Sequence, residues 1–447
     1  MKLPQKPPDF DVLLDALLKN GRLPAIMAKA GEDLIDGQYH HWDELRRRPV
    51  EPGMSHEEMW MALKLKRKAA YRSFPLKDGR NRSFQYSVPE LVLEILHEID
   101  FKTGAFIGMP EPIANPQMRD RYIVNSLIQE SITSSQLEGA ATTRDVAKEM
   151  LRSGRPPRDK SERMILNNYL TMQEVMRLHT EALTPDLVMK IHQIVTDQTM
   201  ENPEASGRFR TTDESVRVMD DENQVLHQPP SADELPGRMA LMCEFANGRI
   251  PDQFVPPAIR AILLHFWLAY DHPFVDGNGR TARALFYWSM LHQGFWLFEF
   301  ISISGILVKA PVRYARAFLH AETDDNDLNY FILHQTDVIR RAIAELHEYL
   351  HRKQKESAEA RRHLKALQRF NHRQQALLEH ALKHPDQTYT IHSHKTSHGT
   401  AYATARSDLL DLHKTELLDL YKLGRAMTFS PAQDMGKRLE SMSQSAP

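Results

Sequence analysis

The side chains that could carry out chemistry are concentrated in one stretch, residues 272–283, which reads HPFVDGNGRTAR. His272 can accept a proton near neutral pH, because the pKa of an unperturbed imidazole lies close to the physiological range. Asp276 is a hard oxygen ligand suited to Mg²⁺, which usually takes one or two protein carboxylates beside phosphate oxygens. Gly277 and Gly279 allow backbone N–H groups to approach an anion closely. The stretch therefore predicts a nucleotide phosphoryl site.

The residues after the second glycine predict a helix that begins at about Gly279. Its first N–H groups and the positive end of its dipole would face the phosphates. Arg280 and Arg283 are three positions apart, so they share one helix face and can bind neighbouring phosphates. Asn278 adds an amide donor between the glycines. A glycine-rich turn that caps a helix after a structural histidine would explain Gly-Asn-Gly alone, but not the whole ordered stretch.

These residues resemble the signature of the Fic family, His-Pro-Phe-x-Asp/Glu-Gly-Asn-Gly/Lys-Arg. Every specified position is matched. Asp271, just before the signature, is a small departure, since this position is more often apolar in the family. The resemblance covers about residues 115–335 and implies transfer of a nucleotide monophosphate, usually AMP from Mg-ATP, onto a hydroxyl of a protein. The implied roles are general base for His272, Mg²⁺ ligand for Asp276, anion hole for Asn278 with the amides of Gly277 and Gly279, phosphate-chain contact for Arg280 and γ-phosphate contact for Arg283.

A second segment resembles the inhibitory pattern of this family, Ser/Thr-x-x-x-Glu-Gly/Asn, at Ser134, Glu138 and Gly139. The pattern is short and arises by chance in many chains, but here it ends an amphipathic helix predicted at about residues 120–139. In a partly desolvated site, Glu138 would form a bidentate pair with Arg283 and withdraw it from the γ-phosphate. This interpretation predicts an active site that is held mostly off. A helix C-terminus with a solvated glutamate is the alternative.

Residues 214–227 alternate around a turn-rich centre and predict a β-hairpin. In the Fic family such a hairpin, the flap, docks the target segment by strand pairing. The residues expected to do so here are Val216, Arg217 and Val218, and a plain surface hairpin is the alternative. Adenine needs an apolar or aromatic slot, for which Tyr314 is the candidate, with a tyrosine of the core as the alternative.

The composition is that of an ordinary soluble protein with two or three domains. The formal net charge is −2 over 447 residues, so no global basic field attracts nucleic acid or anionic membranes. The single cysteine, Cys243, excludes an internal disulfide. Because the N-terminus also lacks an apolar signal region, we expect a cytoplasmic protein. The longest apolar stretch, 261–270, is too short to span a membrane, so no membrane partner is expected.

Helical periodicity dominates the chain, so the expected fold class is all-α, with a Fic-type helical core and a small β-hairpin flap. The predicted domains are an N-terminal helical extension over 1–114, the Fic core over 115–335, a linker helix over 336–370, a winged helix-turn-helix over 371–432 and a flexible tail over 433–447.

The predicted winged helix-turn-helix is a resemblance in element order. A helix and a short strand precede a turn at 393–397, a firm helix at 401–413 follows, and two strands form the wing. Its net charge is only slightly positive, which is little for binding driven by phosphate contacts. Binding to DNA and docking to a protein are therefore both left open.

Together these patterns predict an autoinhibited protein adenylyltransferase that transfers AMP from Mg-ATP to a Ser, Thr or Tyr hydroxyl of a target protein or of itself. Positioning and charge stabilisation at the α-phosphate would supply most of the catalysis. The alternatives are a DNA-binding regulator whose Fic core senses ATP, an enzyme that removes AMP, and an enzyme that transfers another nucleotide monophosphate. Assembly as a homodimer is also left open.

Overall fold

The computed structural model describes residues 2–29, 34–35, 37–104, 116–220, 222–366, 370–423 and 426–444. It divides into two compact units, Met1–Leu346 and His347–Pro447. Helices dominate the described residues, which confirms the all-α fold class. None of the helices described is long and apolar enough to cross a membrane. The predicted boundary between residues 114 and 115 lies outside the described residues.

The N-terminal part of the first unit combines helices with a hairpin. Its helices are α1 Phe10–Lys19, α2 Leu23–Lys29, α3 Trp42–Leu45, α4 His56–Ala70 and α5 Glu90–Gly104, and its strands are β1 Arg72–Lys77 and β2 Ser83–Tyr86. The antiparallel pair β1–β2 differs from the all-helical extension predicted over 1–114. Phe74, Leu76, Phe84 and Tyr86 are buried at every second position, which is the pattern of a half-buried strand.

The helices around the motif form the centre of the first unit. They are α6 Pro116–Leu137, α7 Arg144–Ser153, α8 Lys160–Leu178, α9 Pro185–Thr196, α10 Leu235–Ala246, α11 Pro257–Asp271, α12 Asn278–His292, α13 Ser304–Leu307, α14 Pro311–Thr323 and α15 Asn329–Ala366, the last of which runs through the boundary between the units. Every residue of α11 from Ala258 to Leu268 is buried, as expected for a helix that is apolar on all sides. Helices α11 and α12 pack together, so the loop between them, residues 272–277, lies at the joint of two central helices.

The predicted flap is present as a short hairpin. Its strands, β3 Val218–Met219 and β4 Val225–His227, pair antiparallel, and Val218 pairs with His227. Val216 and Arg217 precede the first strand.

The second unit contains α16 His372–Lys383, β5 Tyr389–Thr390, α17 Ile391–His398, α18 Tyr402–Lys414, β6 Leu418–Leu423, β7 Ala426–Pro431 and α19 Met435–Gln444. The three strands form an antiparallel sheet in the order β5-β7-β6. Residues 393–397, expected as a turn, lie instead in α17, which begins at a capping box between Thr390 and Ser393. Helix α19 occupies most of the stretch predicted as a flexible tail over 433–447, because Met435 and Leu439 are buried in the apolar cluster of this unit.

Buried polar side chains fasten the N-terminal part to the segment that follows α14. Lys64 on α4 pairs with Asp324, and their side chains are 1% and 0% exposed. Tyr39 and Tyr71 each donate a hydrogen bond to Asp327 at 2.6 Å. A buried charge must be paired to be tolerated. The N-terminal part therefore belongs to the same folding unit as the helices around the motif.

We predict that Lys64→Ala lowers the free energy of unfolding by about 3–5 kcal/mol, because it leaves the Asp324 carboxylate buried without its cation. Glu345→Ala is the matched control. It breaks the pair between Lys309 and Glu345, whose side chains are 52% and 53% exposed, and should change the free energy by less than about 1 kcal/mol. Urea unfolding measures both. Equal, small losses would contradict the claim that this pair joins the two parts.

Candidate active site

The loop between α11 and α12 is shaped by two left-handed residues and one amide. His272 has φ 44° and Gly277 has φ 82°. A Cβ atom at Gly277 would lie 2.7 Å from Cγ2 of Thr196, so only glycine fits there. The Asn278 side chain accepts a hydrogen bond from the N–H of Phe274 at 3.0 Å and donates to the carbonyl of the same residue at 2.8 Å. The amide predicted for the anion hole thus closes the loop.

A buried histidine that the sequence analysis missed supports this loop from α9. The ring of His192 stacks on that of Phe274, with the centroids 3.7 Å apart. Its Nε2 donates to the carbonyl of Asp276 at 2.8 Å, and its Nδ1 accepts from the N–H of Gly207 at 3.0 Å. These two partners select the neutral ring, and burial lowers the pKa of His192 to about 4. His192 thus holds the loop without adding a charge to it.

His272 is half-buried at the start of the loop. Its Nδ1 lies 3.3 Å from the carbonyl of Ala269, which leaves Nε2 as the nitrogen that can accept a proton. Burial, followed by the charge of His227, lowers the pKa of His272 to about 4, so the ring is neutral at pH 7. Arg210, which the sequence analysis gave no role, holds this backbone: its Nε donates to the carbonyl of His272 and its N–H to that of Pro273, both at 2.9 Å.

The first turn of α12 forms a cradle suited to an anion. Within the described part of the chain, no side chain caps its first N–H groups. Arg280 is 1% exposed, and its Nη1 donates to the carbonyl of Val195 at 3.0 Å. Its Nε and Nη2 find no hydrogen-bond partner among the described residues. Because buried donors without acceptors are costly, an anionic ligand at this position would stabilise the site.

Asp276 lies at the rim of this cradle. Its side chain is 48% exposed and its Oδ1 is 3.8 Å from Nη2 of Arg280. The described residues hold no group of three or more metal-ligating side chains. A single exposed carboxylate is a donor that Mg²⁺ at a nucleotide can use, because this ion takes one or two carboxylates and completes its shell with phosphate oxygens and water.

Helix α6 lies along α12 through contacts spaced one turn apart. Glu130 accepts a hydrogen bond from the hydroxyl of Tyr287 at 2.9 Å. Ser134 accepts from Arg283 twice, at its hydroxyl and at its carbonyl, both at 2.9 Å. Glu138 accepts from Nη2 of Arg283 at 2.8 Å. Positions 130 and 134 share one face of α6, and Glu138 follows its last residue, Leu137. The predicted inhibitory segment therefore contacts the second arginine of the motif.

The pair between Glu138 and Arg283 differs from the predicted bidentate pair. One nitrogen, Nη2, meets one oxygen, Oε1, while Ser134 accepts from Nε and from the same Nη2. The side chains are 29% and 2% exposed. Although burial works against the charge, Glu138 raises the pKa of Arg283. A Cβ atom at Gly279 would lie 2.9 Å from Cδ of Glu138, so this carboxylate lies over the first turn of α12, and Gly139, with φ 88°, follows it.

Tyr314, the candidate for adenine binding, is half-buried on α14. Its hydroxyl lies 2.8 Å from Nε2 of His265. Burial raises the pKa of Tyr314 to about 12, whereas the charge of Arg283 lowers it. The contact of Tyr314 with adenine stays a prediction.

Glu130 is another residue that the sequence analysis missed. Its buried carboxylate accepts hydrogen bonds from the hydroxyl of Ser302 at 2.8 Å and from the N–H of Ser304 at 3.1 Å, in addition to Tyr287. The sequence signal that could have identified Glu130 is its position four residues before Ser134, because two side chains at this spacing share a helix face.

The comparisons with known proteins cover this part of the chain. Residues 182–290 match the family model described as the Fic/DOC family. These residues form a Fic/DOC domain. His272 to Arg283 lie within the matched range, whereas Glu138 precedes it. The crystal structure of a Fic family protein from Desulfovibrio desulfuricans G20 matches with a TM-score of 0.54 at 17% identity, covering 78% of this chain and 98% of that one. At this identity the match concerns the fold alone, and it agrees with the predicted Fic-type helical fold.

Two curated relatives match part of this chain. "Protein adenylyltransferase Fic" of Nematostella vectensis is 29% identical over 217 residues, which is 46% of this chain and 47% of the relative. "Protein adenylyltransferase fic-1" of Caenorhabditis briggsae is 25% identical over 181 residues, which is 40% of this chain and 33% of the relative. The chain thus spans half or less of the length of these curated relatives.

We predict that His192 makes stability depend on pH below neutrality. Between its folded pKa of about 4 and its ordinary value of 6.5, the unfolded chain binds a proton that the folded protein does not, so stability falls as pH falls through this window. The loss from pH 7 to pH 4 should be roughly 2–3 kcal/mol. His192→Gln keeps a donor and an acceptor but cannot titrate. Its free energy of unfolding should therefore lack this part of the dependence on pH. Urea midpoints that change in parallel with pH for both proteins would refute the assignment.

Proposed function

We propose that this protein is an autoinhibited protein adenylyltransferase, which transfers AMP from Mg-ATP to a hydroxyl of a protein target or of itself. The names of the two relatives support the reaction class. The observation that carries the proposal is the carboxylate of Glu138 over the first turn of α12, paired with Arg283. An internal anion at that point implies a site built for an external one.

In the proposed reaction the acceptor hydroxyl attacks the α-phosphorus of ATP. The new bond joins the acceptor oxygen to phosphorus, the bond to the β-phosphate breaks, and pyrophosphate leaves. Nε2 of His272 takes the hydroxyl proton, since its ring is neutral and Nδ1 is directed at a carbonyl. Mg²⁺ held by Asp276 would neutralise charge on the phosphates.

The cradle would bind the phosphate chain and stabilise charge that develops on it. The donors available are the first N–H groups of α12 and the Nε and Nη2 of Arg280, which have no hydrogen-bond acceptor among the described residues. They are fixed before the reaction, because Arg280 is already held by the carbonyl of Val195. Donors that need no reorganisation are the main source of electrostatic catalysis.

The proposed inhibition is competition between two anions for one cation. Glu138 and the γ-phosphate cannot both occupy the first turn of α12 near Arg283, because like charges at contact distance repel. Ser134 holds Arg283 through two further hydrogen bonds, so the guanidinium need not move for the carboxylate to leave. Glu138 is 29% exposed, so it can turn towards solvent at modest cost.

We predict that Glu138→Gly raises the rate of AMP transfer at least tenfold, because Arg283 becomes free for the γ-phosphate. Incorporation of label from ATP, with intact-mass measurement of self-modification, reports the rate. Glu201→Gly, which removes an exposed glutamate from the turn after α9, is the matched control and should leave the rate unchanged. Adding His272→Ala to Glu138→Gly should lower the rate by at least about 100-fold. Equal rates for the wild type and Glu138→Gly would contradict the inhibitory role of Glu138.

One observation favours a second reaction, removal of AMP from a modified protein. Oε1 of Glu138 is held by Arg283, and the side chain is 29% exposed beside the cradle. Such a carboxylate can orient a water molecule towards a phosphorus atom. In that case Glu138→Gly would lower AMP release from a modified protein while it raises transfer.

We further propose that the second unit is a winged helix-turn-helix. Its order of helix, strand, two helices and two strands, with the sheet β5-β7-β6, supports this. Asp408 ties α18 to α16 by accepting from Nε of Arg373 at 2.7 Å. Tyr402 and Arg406 are exposed on α18 and are the side chains available to a partner. Salt-dependent retention of the full chain on duplex DNA would favour DNA over a protein partner.

A further inference from the structure

The His227 side chain joins the flap to α11, the helix that ends just before His272. His227, the last residue of β4, is 8% exposed. Its Nδ1 lies 2.6 Å from Oε2 of Glu322 on α14. Its Nε2 lies 2.7 Å from the carbonyl of Tyr270 in the last turn of α11. One ring thus connects β4, α11 and α14.

The partners of His227 determine its protonation. A carboxylate and a backbone carbonyl only accept hydrogen bonds, so each ring nitrogen must carry a hydrogen to satisfy both. A neutral ring would direct one lone pair at an acceptor. The C-terminal end of α11 also favours a cation. Although burial works against the charge, the hydrogen bond to Glu322 raises the pKa of His227.

The charged groups around His227 leave Glu322 as its direct counter-ion. Asp271 on α11 is buried and also raises the pKa of His227, but its carboxylate is paired with Arg238 on α10 at 2.6 Å. Tyr270 faces the His227 ring, with centroids 4.6 Å apart. His272 is neutral at pH 7, since burial and the charge of His227 lower its pKa.

We infer that His227 is a positioning residue, held as an imidazolium, that latches the flap to α11, the helix that leads into His272. The inference rests on the proposed function, in which the flap docks the acceptor segment, and adds the group that sets the position of the flap. Val218, one of the residues expected to dock the acceptor, pairs directly with His227. Movement of His227 would therefore move the docking strand relative to the proposed base.

The latch gives the flap a defined pH dependence. It is complete while His227 is protonated and is lost as pH rises through the raised pKa of this ring. A neutral ring keeps only one of the two bonds. Acceptor docking should therefore weaken on the alkaline side, where His272 itself does not titrate.

Two substitutions separate the charge from the hydrogen bonds. His227→Gln cannot carry the charge, and its amide oxygen cannot donate to one of the two acceptors. Glu322→Gln keeps both bonds with a neutral ring, because the new amide donates to Nδ1 while Nε2 donates to the carbonyl of Tyr270. The first variant should lose the latch, and the second should make it independent of pH.

Nuclear magnetic resonance of protein labelled with ¹⁵N at histidine tests the latch without any assay of activity. The signals absent from His227→Gln belong to this ring. Both ring nitrogens should carry hydrogens at pH 7 in the wild type, and one should do so in Glu322→Gln. A neutral His227 at pH 7 in the wild type would overturn the inference.

The rate of self-modification, measured in the Glu138→Gly background at saturating Mg-ATP, tests the coupling to chemistry. His227→Gln should lower this rate about tenfold, the loss expected for a charged hydrogen bond, and leave the ATP concentration at half-saturation unchanged. Glu322→Gln should retain the rate at pH 7, and its rate should no longer fall as the pH is raised. If the plots of rate against pH for both variants superimpose on that of the Glu138→Gly parent, the positioning role is overturned.

If the protein modifies nothing with any nucleotide, the proposed function is refuted. The latch is then tested by the nuclear magnetic resonance experiment and by hydrogen exchange, which need no activity. In that case the flap peptide 216–228 should exchange faster in His227→Gln than in the wild type at the same pH. Equal exchange would overturn the latch.

Discussion

The structure around the motif depends on the burial of one cation, Arg283. A guanidinium that is 2% exposed needs acceptors for its donors. Ser134, on α6, supplies two of them, and Glu138, directly after the last residue of α6, supplies a third. The position of α6 along α12 is therefore a condition for burying Arg283. An anion that approaches the first turn of α12 meets the Glu138 carboxylate, which is already paired with Arg283.

The residues that shape the cradle and the residues that would bind a ligand are different. His192 and Asn278 satisfy backbone groups of the loop and carry no charge there. Arg280 retains buried donors without partners in the described part of the chain, and Asp276 remains half exposed. Because of this division, the loop is held in place by neutral groups, and the charged groups of Arg280 and Asp276 remain available to a ligand. A site of this kind favours a polyanion with a bound cation over a neutral ligand.

The sequence predicted the parts of this arrangement that depend on local pattern. The apolar α11 and the order of residues from His272 to Arg283 are such patterns. The contact of Glu138 with Arg283 came from a family resemblance. His192 could not be predicted, because its partner Asp276 is 84 positions away and offers only a backbone carbonyl. The hairpin β1–β2 was missed because a proline interrupts its alternation, and α19 because its burial depends on tertiary contacts.

The central claim is that Glu138 and the γ-phosphate compete for Arg283. Calorimetric titration of the wild type and of Glu138→Gly with Mg-ATP and with Mg-ADP tests it directly, since the two nucleotides differ only in the γ-phosphate. The account predicts similar affinities for both nucleotides in the wild type and a preference for ATP of about tenfold or more in Glu138→Gly, the value of a charged hydrogen bond. The same ratio of affinities in both proteins would contradict it.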